Sequence, residues 1–123
     1  MAEFLYKALG YSIINCAMEV HNTLGPGFLE KVYENAMIIS LRNSNITSSA
    51  QEEIKVYFQS EQVGYFKADI VVENKILLEL KANSGLTKHD EAQLLNYLKA
   101  TDIKIGYLIN FGEPKLKFKR FIY

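Results

Sequence analysis

Three side chains in the middle of the chain have the types and spacing to do chemistry together: Asp69, Glu79 and Lys81. The two carboxylates sit in apolar stretches, Ala68-Asp69-Ile70-Val71-Val72 and Ile76-Leu77-Leu78-Glu79-Leu80, separated by Glu73-Asn74-Lys75. If those stretches are strands joined by a three-residue turn on Asn74, Val72 faces Ile76, Ile70 faces Leu78 and Ala68 faces Leu80. These pairs make one continuous apolar face. The opposite face then pairs Asp69 with Glu79 and Lys67 with Lys81, beside Val71 and Leu77. Directly opposed residues bring their Cβ atoms within roughly 4.5–5.5 Å. Two carboxylates that close repel unless something compensates. A hard divalent cation does so, since Mg²⁺ is commonly held by one or two carboxylates with waters and phosphate oxygens. Lys81 projects from the same strand face as Glu79, two residues on. A metal to polarise a phosphoryl oxygen and an amine to orient the attacking water are a set for phosphodiester hydrolysis. The plainer reading is a solvated strand face with Asp69 and Lys81 as a diagonal ion pair. Against it, Glu79 lies inside an apolar run, where an uncompensated charge is costly.

Other elements must hold this hairpin in place. Leu5, Ala8, Leu9, Ser12, Ile13, Cys16, Ala17 and Val20 recur at spacings of three and four, the stripe of an amphipathic helix. Gly25-Pro26-Gly27 ends it. A second helix is expected over Phe28–Arg42, with Leu29, Val32, Tyr33, Ala36, Met37 and Leu41 on one side, and a polar loop over Asn43–Ala50. Ile54, Val56 and Phe58 alternate with polar residues as a half-buried strand. Ser60-Glu61-Gln62 reads as a turn, followed by strands over Val63–Val72 and Ile76–Ala82. Thr87 is the expected N-cap of a third helix over Lys88–Ala100, with Asp90 and Glu91 in its first turn suiting the positive helix end. Strands are expected over Ile103–Phe111 and Leu116–Tyr123. The order α-α-β-β-β-α-β-β predicts an α/β fold, a mixed sheet covered by helices.

The 123 residues are the length of one domain, taken as 1–123. Apolar residues at 49% and charged residues at 23% are the balance of a globular chain. No apolar run is long enough to span a bilayer, which argues against membrane association. The N-terminus lacks a secretory pattern, and the single cysteine, Cys16, reads as a buried small hydrophobe. These features point to a cytoplasmic protein. The formal net charge is zero, but Lys and Arg concentrate after residue 61, so a phosphate-binding surface is expected in the second half.

Asp69, nine intervening residues, and Glu79-Leu80-Lys81 resemble the signature of the PD-(D/E)XK nuclease superfamily. Gly27-Phe28-Leu29-Glu30-Lys31-Val32-Tyr33 resembles the pattern that names the GxxExxY family within it. Glu19-Val20-His21, Leu24-Gly25-Pro26-Gly27, Ala92-Gln93-Leu94-Leu95-Asn96-Tyr97-Leu98, Ile109-Asn110-Phe111-Gly112 and Phe118-Lys119-Arg120 are similar to that family as well. The resemblance implies a three-layer α/β/α, restriction-endonuclease-like core. It implies Mg²⁺ or Mn²⁺ held by Asp69, Glu79 and the carbonyl of Leu80, with Lys81 at the attacking water and nucleic acid, DNA above all, as partner. Glu30 would be the additional acidic residue that some members supply from an early helix. Gln93 and Tyr97 would match a QxxxY element on the helix after the hairpin. Ala68 stands where the superfamily's name has proline.

Each of these residues also has a structural reading. Glu30 suits a helix start through the dipole, and Tyr33, three residues on, suits the core. Gln93 and Tyr97 share a face at i and i+4, as any amphipathic pair would. Together with Lys67 they are the candidate nucleic-acid contacts. His21, in the last turn of the first helix, reads as a cap or packing residue, and His89 as surface. Lys115, Lys117, Lys119 and Arg120 are either a charged edge strand or a phosphate-contacting surface, with Leu116, Phe118 and either Tyr123 or Ile122 packing inward. Three functions follow: a metal-dependent nuclease, a non-catalytic nucleic-acid- or protein-binding module on a nuclease fold, or, behind these, metal-dependent chemistry on a small phosphate ester. A chain this short offers little surface for gripping a duplex, which points toward a homodimer.

Overall fold

The computed structural model describes residues 6–123. Leu5, the first position of the expected helical stripe, lies outside them. Helix α1 spans Lys7–Leu24 and buries Ile13, Ile14, Cys16, Ala17 and Val20. It ends at Gly25, whose φ of 68° is open to a residue without a Cβ and whose N–H donates to the His21 carbonyl. Helix α2 spans Glu30–Asn43 and buries Tyr33, Glu34, Met37, Ser40 and Leu41. It starts two residues later than the pattern predicts. Leu29 is the extended residue before its first turn, and Leu29 and Val32 face solvent rather than the core.

Strand β1 spans Ser48–Phe58, β2 Glu61–Val72 and β3 Ile76–Lys81. Helix α3 spans Lys88–Ala100, the expected range. Strands β4 (Ile105–Asn110) and β5 (Lys117–Ile122) complete one five-stranded sheet in the order β1-β2-β3-β4-β5. All neighbours are antiparallel except β3 and β4, which α3 connects in parallel. The fold is thus the expected α/β architecture. β1 begins inside the stretch expected to be loop, because Ser48, Ser49 and Ala50 pair with Val72, Val71 and Ile70.

Two apolar clusters sandwich the sheet. Ile70, Val72, Ile76, Leu78 and Leu80 pack with α1 and α2. Ala68, Val71, Leu77 and Leu108 pack with Leu94 and Leu98 of α3. The three layers are therefore α1/α2, sheet and α3. Ile70 faces Leu78 and Val72 faces Ile76, as the turn argument requires. Ala68 departs from it and joins the α3 side, so the apolar face is not continuous. The cause lies on β1. Ala50 pairs with Ile70 and Glu52 with Ala68, but Gln51, between them, adopts a φ of 55° and drops out of the ladder opposite Asp69. A non-glycine residue in the left-handed region is uncommon and strained. The alternation of sides on β2 breaks at that point.

Candidate active site

The site forms where the β2–β3 ladder stops. Backbone pairing covers Val72 to Ile70 against Ile76 to Leu78 and goes no further. Beyond it, side chains take over. Leu80 N–H donates to Asp69 Oδ2 at 2.8 Å, and Asp69 N–H donates to Glu79 Oε1 at 3.3 Å. Each carboxylate therefore holds the backbone of the strand opposite. The expected Asp69–Glu79 juxtaposition is present, but as a cross-strand clasp rather than a ladder pair.

Burial of these groups shapes their charge. Glu79 is only 6% exposed. Desolvation and then the neighbouring Asp69 push its carboxyl up to about 8. Burial also raises Asp69, against the lowering bond from Leu80. Near neutral pH, without a cation, Glu79 is therefore largely protonated. The donor set suits a hard divalent ion: two carboxylates for which ionisation in place is costly, next to the Leu80 backbone. Among the described residues, no three His, Cys, Asp or Glu side chains converge as a metal cage. Two carboxylates are the donor set Mg²⁺ commonly takes, since it keeps several waters and uses few protein ligands.

Lys81 reaches Asp90 of α3, with Nζ 3.8 Å from Oδ1, and both side chains are mostly buried. Asp90 is fixed in turn by a capping box: its N–H donates to Thr87 Oγ1 at 3.1 Å, and Thr87 N–H donates to Asp90 Oδ2 at 3.0 Å. The N-cap expected at Thr87 thus also anchors the lysine's partner. Spacing alone gives Asp90 only its place in the first turn.

On the α2 side, Glu30, Lys31, Glu34, Gln51, Asp69 and Leu80 line a cavity of about 180 Å³. Burial, partly offset by Lys81 and reinforced by Asp69, raises Glu30. Glu30 thus lies within electrostatic reach of Asp69 and Lys81. Glu34 was not expected here. It is 4% exposed, pairs with Lys31 at 2.6 Å and accepts from Gln51 Nε2. Gln51 also lies at the limit of hydrogen bonding, 3.5 Å, from Asp69. The i, i+4 spacing of Glu30 and Glu34 on one helix face is the sequence signal for it.

Tyr33 has a structural part. Its ring stacks on Phe111 with centroids 4.7 Å apart, its hydroxyl donates to the Gly25 carbonyl, and Phe28 N–H donates to it at 3.2 Å. The Gly27-to-Tyr33 pattern becomes intelligible. Gly27, at φ 113°, makes the turn, Tyr33 pins the loop, and Glu30 starts the helix at the cavity.

Gln93 Nε2 donates to the Tyr97 hydroxyl at 2.8 Å, and Tyr97 stacks on Phe66 at 3.7 Å. Burial and then the charges of Glu79 and Asp69 raise Tyr97, which places it on the clasp's α3 flank. Lys67 stands apart. It is exposed, opposite Glu53 on β1, and contacts neither carboxylate. The expected Lys67–Lys81 pairing does not form, because the ladder ends before it. His21 is a packing residue: Nε2 lies 2.9 Å from the Glu113 carbonyl and the ring leans on Phe111. Of the basic ending, Lys119 pairs with Glu91 of α3 at 2.6 Å. Phe118 leans on the buried Tyr107 but stays 41% exposed, and Ile122 and Tyr123 are exposed too, so the inward packing expected of this strand is only partial.

Sequence reasoning also missed Asn110, which is fully buried at the end of β4 beside Lys81. Its Oδ1 accepts from Asn83 N–H at 3.1 Å and Gly112 N–H at 3.0 Å. Its Nδ2 donates to the Asn83 carbonyl at 3.0 Å and to Glu113 Oε2 at 2.9 Å. It fixes the exit of β3 just after the lysine.

The sequence profile of the PD-(D/E)XK nuclease superfamily matches residues 7–121. The chain belongs to the PD-(D/E)XK nuclease superfamily. A search of curated proteins finds no match. Among solved structures, the crystal structure of SSO0001 superposes with a TM-score of 0.58 at 18% identity, over 76% of this chain and 50% of that one. That likeness is one of fold, and this chain spans half of that protein's length. Among the described residues, no helix is long and apolar enough to cross a membrane.

Proposed function

We propose that this PD-(D/E)XK chain, of the GxxExxY type, hydrolyses phosphodiester bonds of nucleic acid, DNA in the first instance, with Mg²⁺ or Mn²⁺. The observation that carries the reading is the Asp69–Glu79 clasp, with Leu80 inside it and Lys81 next along the strand. Asp69, Glu79 and the Leu80 carbonyl are the residues to hold the ion. When bound, it polarises the phosphoryl oxygen and acidifies a water. The chain's own residues do the rest. Asp90 holds the Lys81 ammonium at the site, where it orients the attacking water. Glu30 adds negative charge on the α2 side. Gln93 and Tyr97 offer an amide and a hydroxyl to the phosphate or sugar on the α3 flank, and Lys67 contacts the strand further out.

The test is metal-dependent cleavage of single-stranded, duplex, flapped and branched DNAs. Wild type should cut at least one, and Asp69→Ala and Lys81→Ala should not. Cleavage undiminished by both substitutions, or none by wild type, sinks the proposal. One observation favours the second reading, a non-catalytic binding module: each carboxylate accepts from a backbone N–H of the opposite strand, a structural part of its own. Calorimetry separates the two. Heat of Mn²⁺ binding that vanishes in Glu79→Gln supports the nuclease, and its absence in wild type supports the module.

A further inference from the structure

Strand β3 covers β2 only over Ile70–Val72, so β1 and β2 continue past the site as a two-stranded ribbon. One face of the ribbon is tied down: Ile54 and Phe66 pack on the α3 cluster, and Phe66 stacks on Tyr97. The other face carries Lys55 directly opposite Tyr65, Lys67 opposite Glu53, and Tyr57 two residues beyond Lys55. A bulge between Val56 and Tyr57 sets Tyr57 against Gln62 and leaves Val63 unpaired, so Tyr57 stays on the side of Lys55. Tyr57 is 59% and Tyr65 61% exposed. Among the described residues, neither ring meets another ring or a cation. Lys55 and Lys67, both exposed, have no carboxylate within ion-pairing distance among the described residues, although Glu53 faces Lys67 across the ladder.

We infer that this outer ribbon face binds a single-stranded segment of nucleic acid, with bases stacked on Tyr57 and Tyr65 and phosphates met by Lys55 and Lys67. Interleaved aromatic faces and unpaired cations are the sequence-tolerant way to hold a single strand, since every base has a π-face and a phosphate. Tyr65, Lys67 and Asp69 follow one another at alternate positions of β2. At about 3.3 Å per residue, Tyr65 therefore lies roughly 13 Å from the carboxylate clasp, a reach of a few nucleotides. A strand on the ribbon is led to the site rather than away from it. The inference rests on the nuclease reading only for the substrate it delivers, and binding is measured apart from cleavage.

The experiment is fluorescence anisotropy of a labelled oligothymidylate in EDTA, where no cleavage occurs, alongside hydrolysis of bis(p-nitrophenyl) phosphate with Mn²⁺. That ester is too small to touch the ribbon. Replacing both tyrosines, Tyr57→Ala with Tyr65→Ala, should weaken oligothymidylate binding by about tenfold or more. Tyr57→Phe with Tyr65→Phe should keep it, because phenylalanine still stacks. Lys55→Gln with Lys67→Gln should flatten the dependence of log affinity on log salt by about 0.7 per cation removed. Hydrolysis of the small ester should stay at the wild-type rate in both tyrosine variants. Wild-type affinity in the double alanine variant overturns the inference, as does failure of wild type to bind. A change of oligomeric mass in place of the affinity loss also overturns it, since the tyrosines would then be a protein contact. Intact binding with no hydrolysis of any ester would leave the ribbon standing and remove the nuclease reading.

Discussion

Asp69 offers its backbone N–H to Glu79 Oε1 across 3.3 Å, while its own carboxylate takes the N–H of Leu80. The two acids are thus interlocked through the main chain, and the Lys81 charge that acts on both offsets only part of the cost of burying them. That geometry keeps both within reach of one ion and leaves Glu79 with an electrostatic cost that only protonation or a cation relieves.

A cation should therefore stabilise the fold. A ligand that binds only the native state adds about 2.7 kcal/mol at a hundred times its Kd. Adding Mg²⁺ or Mn²⁺ to metal-free protein should raise Tm, and the increment should vanish in Asp69→Ala and in Glu79→Gln. Scanning calorimetry with and without EDTA reads it. An equal increment in all three proteins would place the ion elsewhere.

Without metal, pH acts through Glu79. Its native carboxyl titrates at about 8 and its unfolded one at 4.5. Between those values the native state binds more protons than the unfolded state, so stability falls as pH rises. Below 4.5 the residue adds no such cost, and through 8 the loss becomes complete. Glu79→Gln removes this slope. Its Tm advantage over wild type should therefore grow from pH 5 to pH 8 in EDTA, and a constant difference would contradict the assignment.

Asp90 positions Lys81 and caps α3 at once. Asp90→Asn keeps an oxygen for the Thr87 N–H, so the stability loss should be small, about 0.5 kcal/mol. The ammonium loses its counter-charge, and kcat should fall by roughly tenfold with KM unchanged, an interaction realised only in the transition state. A loss confined to KM would instead make Asp90 a substrate-binding group.

Asn110→Leu strips the partners of four polar groups at the exit of β3. Each buried unsatisfied group costs about 1–3 kcal/mol, and water reaching the turn recovers part of that. A net loss of about 3 kcal/mol in urea unfolding is expected, with Asn110→Asp losing less. Tyr33→Phe should cost about 1 kcal/mol, for the bonds to Gly25 and Phe28.

Much of this architecture was legible in the sequence. The turn on Asn74 sets the register of three cross-strand pairs and puts Asp69 near Glu79, because a three-residue connection leaves one alternation of faces that buries Ile70, Val72, Ile76 and Leu78. Thr87 and the range of α3 follow from capping chemistry. The break at Asp69 was not legible. It depends on Gln51 taking a left-handed conformation one strand away, and no local rule assigns that to glutamine. The roles of Asn110 and Glu34 were hidden for a related reason, although the i, i+4 spacing from Glu30 does place Glu34 on the right helix face. Their roles lie in partners distant along the chain, Asn83 and Gln51, and a polar residue in an apolar strand or helix announces a cost without naming what relieves it.

The stop in the β2–β3 ladder also divides the molecule mechanically. Amides of β3 and β4 lie under helices on both faces and should exchange with solvent only through global unfolding, whereas those near Gln59 and Ser60 need only a local opening. The hairpin tip can therefore lengthen, shorten or change its side chains over evolutionary time without renegotiating the core. The carboxylate clasp stands at the hinge between the part that must stay constant and the part free to diversify.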